Sequence, residues 1–198
     1  MKEIIIATKN PGKAKEFKAF FKPHGIETIS LLDFVEEHQD IEETGTTFKE
    51  NAAIKAESIA AELNKPVLAD DSGLIVDALD GRPGVFSARY AGEPKDDQAN
   101  IDKVLQEMTD VKEESRTARF ICVLAIANPR EETIFKTGYC EGHIAHTKKG
   151  TYGFGYDPIF IPKGYVRSMA ELPSEEKNFI SHRSNAMKKL NQWLEKNM

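Results

Sequence analysis

The apolar positions of this chain fall into short continuous runs separated by stripes at helical spacing. Ile4, Ile5, Ile6 and Ala7 form one such run, the pattern of a strand covered on both faces. Phe17, Phe20 and Phe21 then recur at helical spacing. Glu27 to Ser30 reads as a short second strand. Ala52, Ala56, Ile59, Ala60 and Leu63 give the stripe of a helix, and Thr47-x-x-Glu50 before it has the form of a capping box. Val67 to Ala69 reads as the end of a buried strand. Asp70-Asp-Ser-Gly73 reads as a turn, and Leu74 to Val76 as a strand returning.

Asp80-Gly-Arg-Pro-Gly84 predicts a turn, and Val85 to Gly92 a long loop. A helix starts near Asp97, with Ile101, Val104, Leu105 and Met108 as its apolar stripe. Phe120 to Ala127 reads as a central strand and Thr133 to Gly142 as its neighbour, joined by a turn at Asn128-Pro-Arg130. Pro158 to Ile161 is a further strand. Ser174-Glu-Glu-Lys177 opens a helical region, Ile180-Ser-His-Arg183 interrupts it, and Ala186, Met187, Leu190, Trp193 and Leu194 finish as an amphipathic helix. There is no repeat, linker or low-complexity segment.

Composition narrows the class. A length of 198 residues predicts a single domain over 1–198, with room for two lobes. The 40% apolar and 30% charged content is that of a soluble globular protein. A net charge of −5 argues against a nucleic-acid polymer as partner, since that needs a basic face. Cys122 and Cys140 both lie in strand-like runs and read as reduced, buried thiols. No apolar run approaches the roughly 20 residues of a membrane span, and the start resembles no signal peptide. The expectation is a cytoplasmic protein with no membrane partner.

Five stretches carry candidate chemistry. In Thr8-Lys-Asn-Pro-Gly-Lys13, Asn10 is a good N-cap and Pro11 suits the first helical position. A helix N-terminus offers N–H groups and a positive dipole end to a phosphate, and Lys9 and Lys13 add charge. The loop is not a Walker A motif, because Ala7 stands where its first glycine belongs and Ala14 follows Lys13. An ordinary capped helix with surface lysines is the plainer alternative, and Glu16 is spaced to pair with Lys13.

The acidic run Glu36, Glu37, Asp40, Glu42 and Glu43 reads as a solvated face. Its last member, Glu43, falls just before the capped helix, on which Asn51 and Lys55 share a side. At Asp70 and Asp71, strand alternation sends the two carboxylates to opposite faces. Gly153-Phe-Gly-Tyr-Asp-Pro158 surrounds an aromatic with glycines, which suits stacking on a planar ring. His182 and Arg183, at a helix start, together suit an anion or a carbonyl.

Taken in order, these segments resemble the inosine/xanthosine triphosphate pyrophosphatase family. Thr8–Lys13, Glu43-Thr-Gly-x-Thr-Phe-x-Glu-Asn-Ala52, Ala69-Asp-Asp-Ser-Gly73 and Pro83-Gly-Val-Phe-Ser-Ala-Arg-Tyr90 carry the first half of the likeness. Gly153–Pro158, Glu176-Lys177 and Ser181-His-Arg183 carry the second. The departure is Lys9, where many relatives have a small residue.

The resemblance implies an α/β fold with a long, twisted, mixed sheet flanked by helices, in two lobes with a nucleotide groove between them. It implies hydrolysis of non-standard purine nucleoside triphosphates (ITP, dITP, XTP) to the monophosphate and pyrophosphate, with Mg²⁺, and a homodimer. Glu43 and Asp71 would hold the metal through hard oxygens, and Asp71 would also act as general base. Thr8, Lys9, Asn10, Pro11, Gly12 and Lys13 would bind the triphosphate, with a hydroxyl contact from Ser72. Phe154 would stack on the base, Gly155, Tyr156 and Asp157 would shape its pocket, and Lys177, His182 and Arg183 would read its edge.

Two other readings fit less well. A haloacid-dehalogenase-type phosphatase needs Asp-x-Asp, and this chain has Asp70-Asp71-Ser72. A non-enzymatic purine nucleotide sensor would need the base and phosphate contacts but not Glu43 and Asp71 together.

Overall fold

A computed structural model describes residues 1–33 and 41–197. Glu36, Glu37 and Asp40 of the acidic run lie outside the described residues. In chain order the elements are β1 (Glu3–Ile6), α1 (Pro11–Phe21), β2 (Glu27–Ser30), α2 (Phe48–Leu63), β3 (Val67–Val76) and α3 (Asp97–Glu107). They continue with β4 (Thr117–Ala127), β5 (Ile134–Ile144), β6 (Phe160–Pro162), α4 (Ser174–Ile180) and α5 (His182–Asn197). Among the described residues the strands form one mixed sheet of order β2-β1-β3-β4-β5-β6. β1 runs parallel to β2, with Ile5 opposite Ile29, and parallel to β3, with Ile6 opposite Leu68. β5 and β6 are antiparallel, His143 facing Ile161.

The chain divides into two compact units. The first comprises Met1–Asp71, Val123–Thr137 and Ala186–Met198. Ile4, Ile5 and Ile6 are buried, as a doubly covered strand requires. Phe17 and Phe21 of α1, Ala52, Ala56, Ile59 and Ala60 of α2, and Leu190 and Leu194 of α5 supply the helical share of its core. The α1 N-terminus is set by Asn10, whose side chain accepts from Gly12 N and Lys13 N, with Pro11 in the first turn. The α2 start is a complete capping box between Thr47 and Glu50.

The second unit comprises Ser72–Cys122 and Gly138–Asn185. Its core gathers Leu74, Val76, Ile101, Val104, Met108, Phe120, Ile159, Phe160 and Leu172. Arg116 is buried within it, and its guanidinium donates to the carbonyls of Met108, Val111, Ile144 and Ala145. That satisfies a buried cation with backbone dipoles. Cys122 and Cys140 are both buried thiols in no disulfide, as expected, and burial pushes Cys140 up to about 11.

Two local expectations are corrected. Asp70-Asp-Ser-Gly73 is not a turn: β3 runs unbroken from Val67 to Val76 through both aspartates. Asp, Ser and Gly are poor strand formers, but burial among neighbouring elements overrides that preference. Val85 to Gly92 is not wholly irregular, since Gly84–Arg89 forms a 3-10 helix. Ser87 Oγ ties it down by donating to Gly84 O and accepting from Leu74 N. Among the described residues, no helix is long and apolar enough to cross a membrane.

Candidate active site

In the first unit the charged candidates converge on β3. Alternation along the strand gives its two aspartates different partners. Asp70, only 4% exposed, takes Lys13 Nζ of α1 at 2.7 Å. Asp71, also buried, has Lys55 Nζ of α2 at 3.7 Å from its Oδ1. The same ammonium donates to Glu43 Oε1 at 3.0 Å and to the Asp70 carbonyl at 2.7 Å. One lysine therefore gathers Glu43, the Asp70 backbone and Asp71.

Burial raises the Asp71 carboxyl to about 6. The Lys55 charge and Asn51 oppose the rise, while Glu43 and Asp70 add to it. Burial alone would pull Lys55 down, but the charges of Asp71, Asp70 and Glu43 outweigh it and leave the ammonium above its usual value. The cluster is arranged to hold a positive charge.

Asn10 alters the expected phosphate loop. Its Oδ1 accepts from Gly12 N at 2.9 Å and from Lys13 N at 3.2 Å, so two of the N–H groups at the α1 start are already used. The helix dipole remains for an anion, whereas the Lys13 ammonium is already paired with Asp70. A ligand that wanted those N–H groups would have to displace the Asn10 carboxamide.

In the second unit the base-binding candidates form a tight turn. Asp157 Oδ2 accepts from Phe154 N at 3.0 Å and forms an ion pair with Lys177. Lys177 Nζ also lies 4.9 Å from the centre of the Phe154 ring, a cation–π contact. The ring itself is 63% exposed, although large aromatics are usually covered. Gly153 has φ +81°, and a Cβ there would collide with the Asp157 carboxylate. Tyr156 is buried and donates to Ser87 O at 2.8 Å; burial pushes its phenol well up.

His182 stacks on Phe120, with ring centres 5.1 Å apart, and Arg183 is buried beside it in the chain at the start of α5. Ser72 follows Asp71 along β3 and is half-buried.

The structure thus brings Glu43 and Asp71 onto one ammonium, and Lys177 of α4 onto the turn that carries Phe154 and Asp157. Lys55 was visible in the sequence only as sharing a helix side with Asn51. Its role at the centre of the carboxylates depends on Glu43 and β3, which no helical spacing reveals. The Lys13–Asp70 pair spans 57 residues and left no local signal. Asp97, whose Oδ2 accepts from Gly155 N at 2.8 Å, was equally silent.

A cation can be tested against this donor set. Among the described residues, no three His, Cys, Asp or Glu side chains are grouped to hold a metal on their own. Mg²⁺ commonly takes one or two carboxylates and fills its remaining positions with water and phosphate oxygens. Glu43 and Asp71, both hard oxygen donors drawn to one cation, fit that demand.

Sheet and cluster together define an α/β protein with a buried charged site built on an inner strand. The chain belongs to the Ham1 family, whose pattern it matches over residues 4–193. It is 67% identical over 194 residues to a dITP/XTP pyrophosphatase of Oceanobacillus iheyensis, covering 98% of each chain. It is 60% identical over 197 residues to the protein of that name from Bacillus subtilis, again covering 98% of each. Among solved structures it resembles the Ham1 protein of Staphylococcus aureus, with TM-score 0.93, 46% identity and full coverage of both chains. It also resembles a nucleoside-triphosphatase / dITP/XTP pyrophosphatase of Mycobacterium abscessus, with TM-score 0.83, 41% identity, and coverage of 95% of this chain and 97% of that one.

Proposed function

We propose that this protein hydrolyses non-standard purine nucleoside triphosphates (ITP, dITP and XTP) to the monophosphate and pyrophosphate. The observation that carries the reading is the pair Glu43 and Asp71 held on one half-buried ammonium, with the Asp71 carboxyl raised to about 6. A group with that value is a competent proton acceptor near neutrality.

Lys13, Lys9 and the α1 dipole draw in the triphosphate, and the Ser72 hydroxyl adds a hydrogen bond. Glu43 and Asp71 would hold Mg²⁺, which when bound neutralises charge on the phosphate oxygens. Asp71 orients a water and takes its proton as the oxygen attacks the α-phosphorus. Pyrophosphate leaves with the electrons of the broken P–O bond. Lys55 keeps Asp71 ionised until that moment and keeps Glu43 directed toward it. Phe154 offers its exposed face to the base, and Lys177, His182 and Arg183 supply donors to an acceptor at its position 6.

The names carried by relatives at 56–67% identity support this substrate class. A non-enzymatic purine nucleotide sensor would have no use for two carboxylates on a raised lysine. We further take the protein to work in the cytoplasm as a homodimer, on the family resemblance.

The test is a panel of nucleoside triphosphates with products separated by chromatography. ITP, dITP and XTP are expected to give the monophosphate and pyrophosphate, well ahead of ATP and GTP. Orthophosphate as the first product, with other pyrophosphatases absent, would falsify the cleavage site. Activity is expected to vanish in EDTA and return with Mg²⁺.

A further inference from the structure

The exposed Phe154 ring rides on a turn whose fixity has two sources. Asp157 takes the Phe154 N–H from within the turn. The next N–H, that of Gly155, is taken at 2.8 Å by Asp97 Oδ2, from the first turn of α3 and 58 residues earlier in the chain. Two successive backbone N–H groups are thus each held by a different carboxylate. Gly155 has φ +57°, and Gly153 on the other side of Phe154 has φ +81°. A turn with two residues in the left-handed region has little conformational preference of its own, so outside contacts must choose its shape.

The same helix grips the chain leading into that turn. Lys148 Nζ pairs with Asp102 at 2.6 Å and donates to Gln98 Oε1 at 3.1 Å. Farther along, Thr151 N and Tyr152 N both donate to Ala170 O. Asp97 does not serve as the N-cap of α3: Asp96 does, accepting from Gln98 N and Ala99 N. The Asp97 carboxylate is left to reach the turn.

We propose that Asp97 is a positioning residue for the nucleobase: it fixes the Phe154–Gly155 turn so that the ring is presented in one orientation. The proposal rests on the reading of Phe154 as the base-stacking residue. Asp97 touches no reacting atom. Its contribution is pre-organisation, which lowers the ordering cost of binding and leaves the chemical step alone. An Asp97 that only complemented the α3 dipole would act through its charge. One that positions the turn acts through an acceptor oxygen, which Asn retains.

The experiment compares wild type, Asp97→Ala and Asp97→Asn by steady-state kinetics on ITP with Mg²⁺, thermal unfolding, and hydrogen exchange of peptides covering residues 150–158. Asp97→Ala is expected to raise KM for ITP about three- to tenfold, the worth of one lost hydrogen bond near the surface. kcat should stay within about twofold of wild type. Exchange at Phe154 and Gly155 should quicken, and Asp97→Asn should restore most of both. Wild-type KM and exchange in Asp97→Ala overturns the proposal. So does a loss confined to kcat, or a KM effect that Asp97→Asn does not rescue, which would point to the helix dipole. If the wild-type enzyme itself fails to turn over ITP, the functional reading falls, and the exchange comparison still decides whether Asp97 holds the turn.

Discussion

Lys55 Nζ stands 3.7 Å from Asp71 Oδ1, too far for a good hydrogen bond but close enough for its charge to govern that carboxylate. Its hydrogen bonds go instead to Glu43 and to the Asp70 carbonyl. Lys55→Met would remove the largest influence that holds Asp71 down. The Asp71 carboxyl should then titrate above about 6, and ITP turnover at neutral pH should fall by roughly a hundredfold or more. A pH–rate series and a denaturant titration check both, the latter with an expected loss of about 1–3 kcal/mol.

The raised Asp71 carboxyl has a definite sign for stability. Its value is about 6 in the folded protein against 3.8 as the ordinary value, so the folded state binds the proton more tightly. Ionised Asp71 therefore costs stability above pH 6; the cost shrinks as pH falls toward 4 and is absent below. In EDTA, Asp71→Asn should stabilise the protein by about 2–3 kcal/mol at pH 7–8 and by nothing at pH 4. Added Mg²⁺ should raise the melting temperature of wild type more than that of Asp71→Asn. Substantial ITP turnover by Asp71→Asn would remove Asp71 from the role of base.

Gly153→Ala addresses the turn proposed to bind the base. The new methyl would press on the Asp157 carboxylate and come within 2.8 Å of Lys177 Nζ, at a backbone φ of +81°. A loss of about 1–3 kcal/mol is expected by thermal or denaturant unfolding. KM for ITP should rise with it, because Asp157 and Lys177 both bear on Phe154.

Arg183→Ala should cut kcat/KM for ITP far more than for ATP. Adenine carries a donor where hypoxanthine carries an acceptor, so an arginine that reads position 6 would help one and not the other. The ratio between the two substrates should narrow about tenfold or more. Since Arg183 is buried, the comparison is made between substrates on one protein preparation, so that a general loss of folded enzyme cancels. Equal losses would assign Arg183 to phosphate binding or to the fold.

Features specified by neighbouring residues were legible in the sequence. Asn10 and Pro11 announced the start of α1, and Thr47 with Glu50 announced that of α2, because caps are made within one turn. The stripe Ile101, Val104, Leu105 and Met108 gave the core-facing side of α3 and its C-cap for the same reason, with Leu105 only partly buried. The continuity of β3 was hidden. Its middle is written in turn-forming residues, and what holds them extended comes from distant elements: Lys13 on Asp70, Lys55 on the Asp70 carbonyl, Ser87 on Leu74 N. The candidate site residues were named from a family pattern, but the partners the structure gives them were not. Lys55 at the centre of the carboxylates and Asp97 on Gly155 both depend on contacts that cross elements.

The unbroken course of β3 makes the site a matter of counting. Side chains on a strand alternate with a period of two, so neighbours differ in partner by parity alone. Deleting one residue between Val67 and Asp70 would hand Lys13 the carboxylate that belongs to Lys55, and inserting one would hand Lys55 the carboxylate that belongs to Lys13. A loop could absorb such a change; a buried strand paired to β1 at Val67 and Leu68 has no slack with which to do so. In this stretch, length is as strict a requirement as chemistry: a one-residue slip would abolish the arrangement while leaving every functional residue type present.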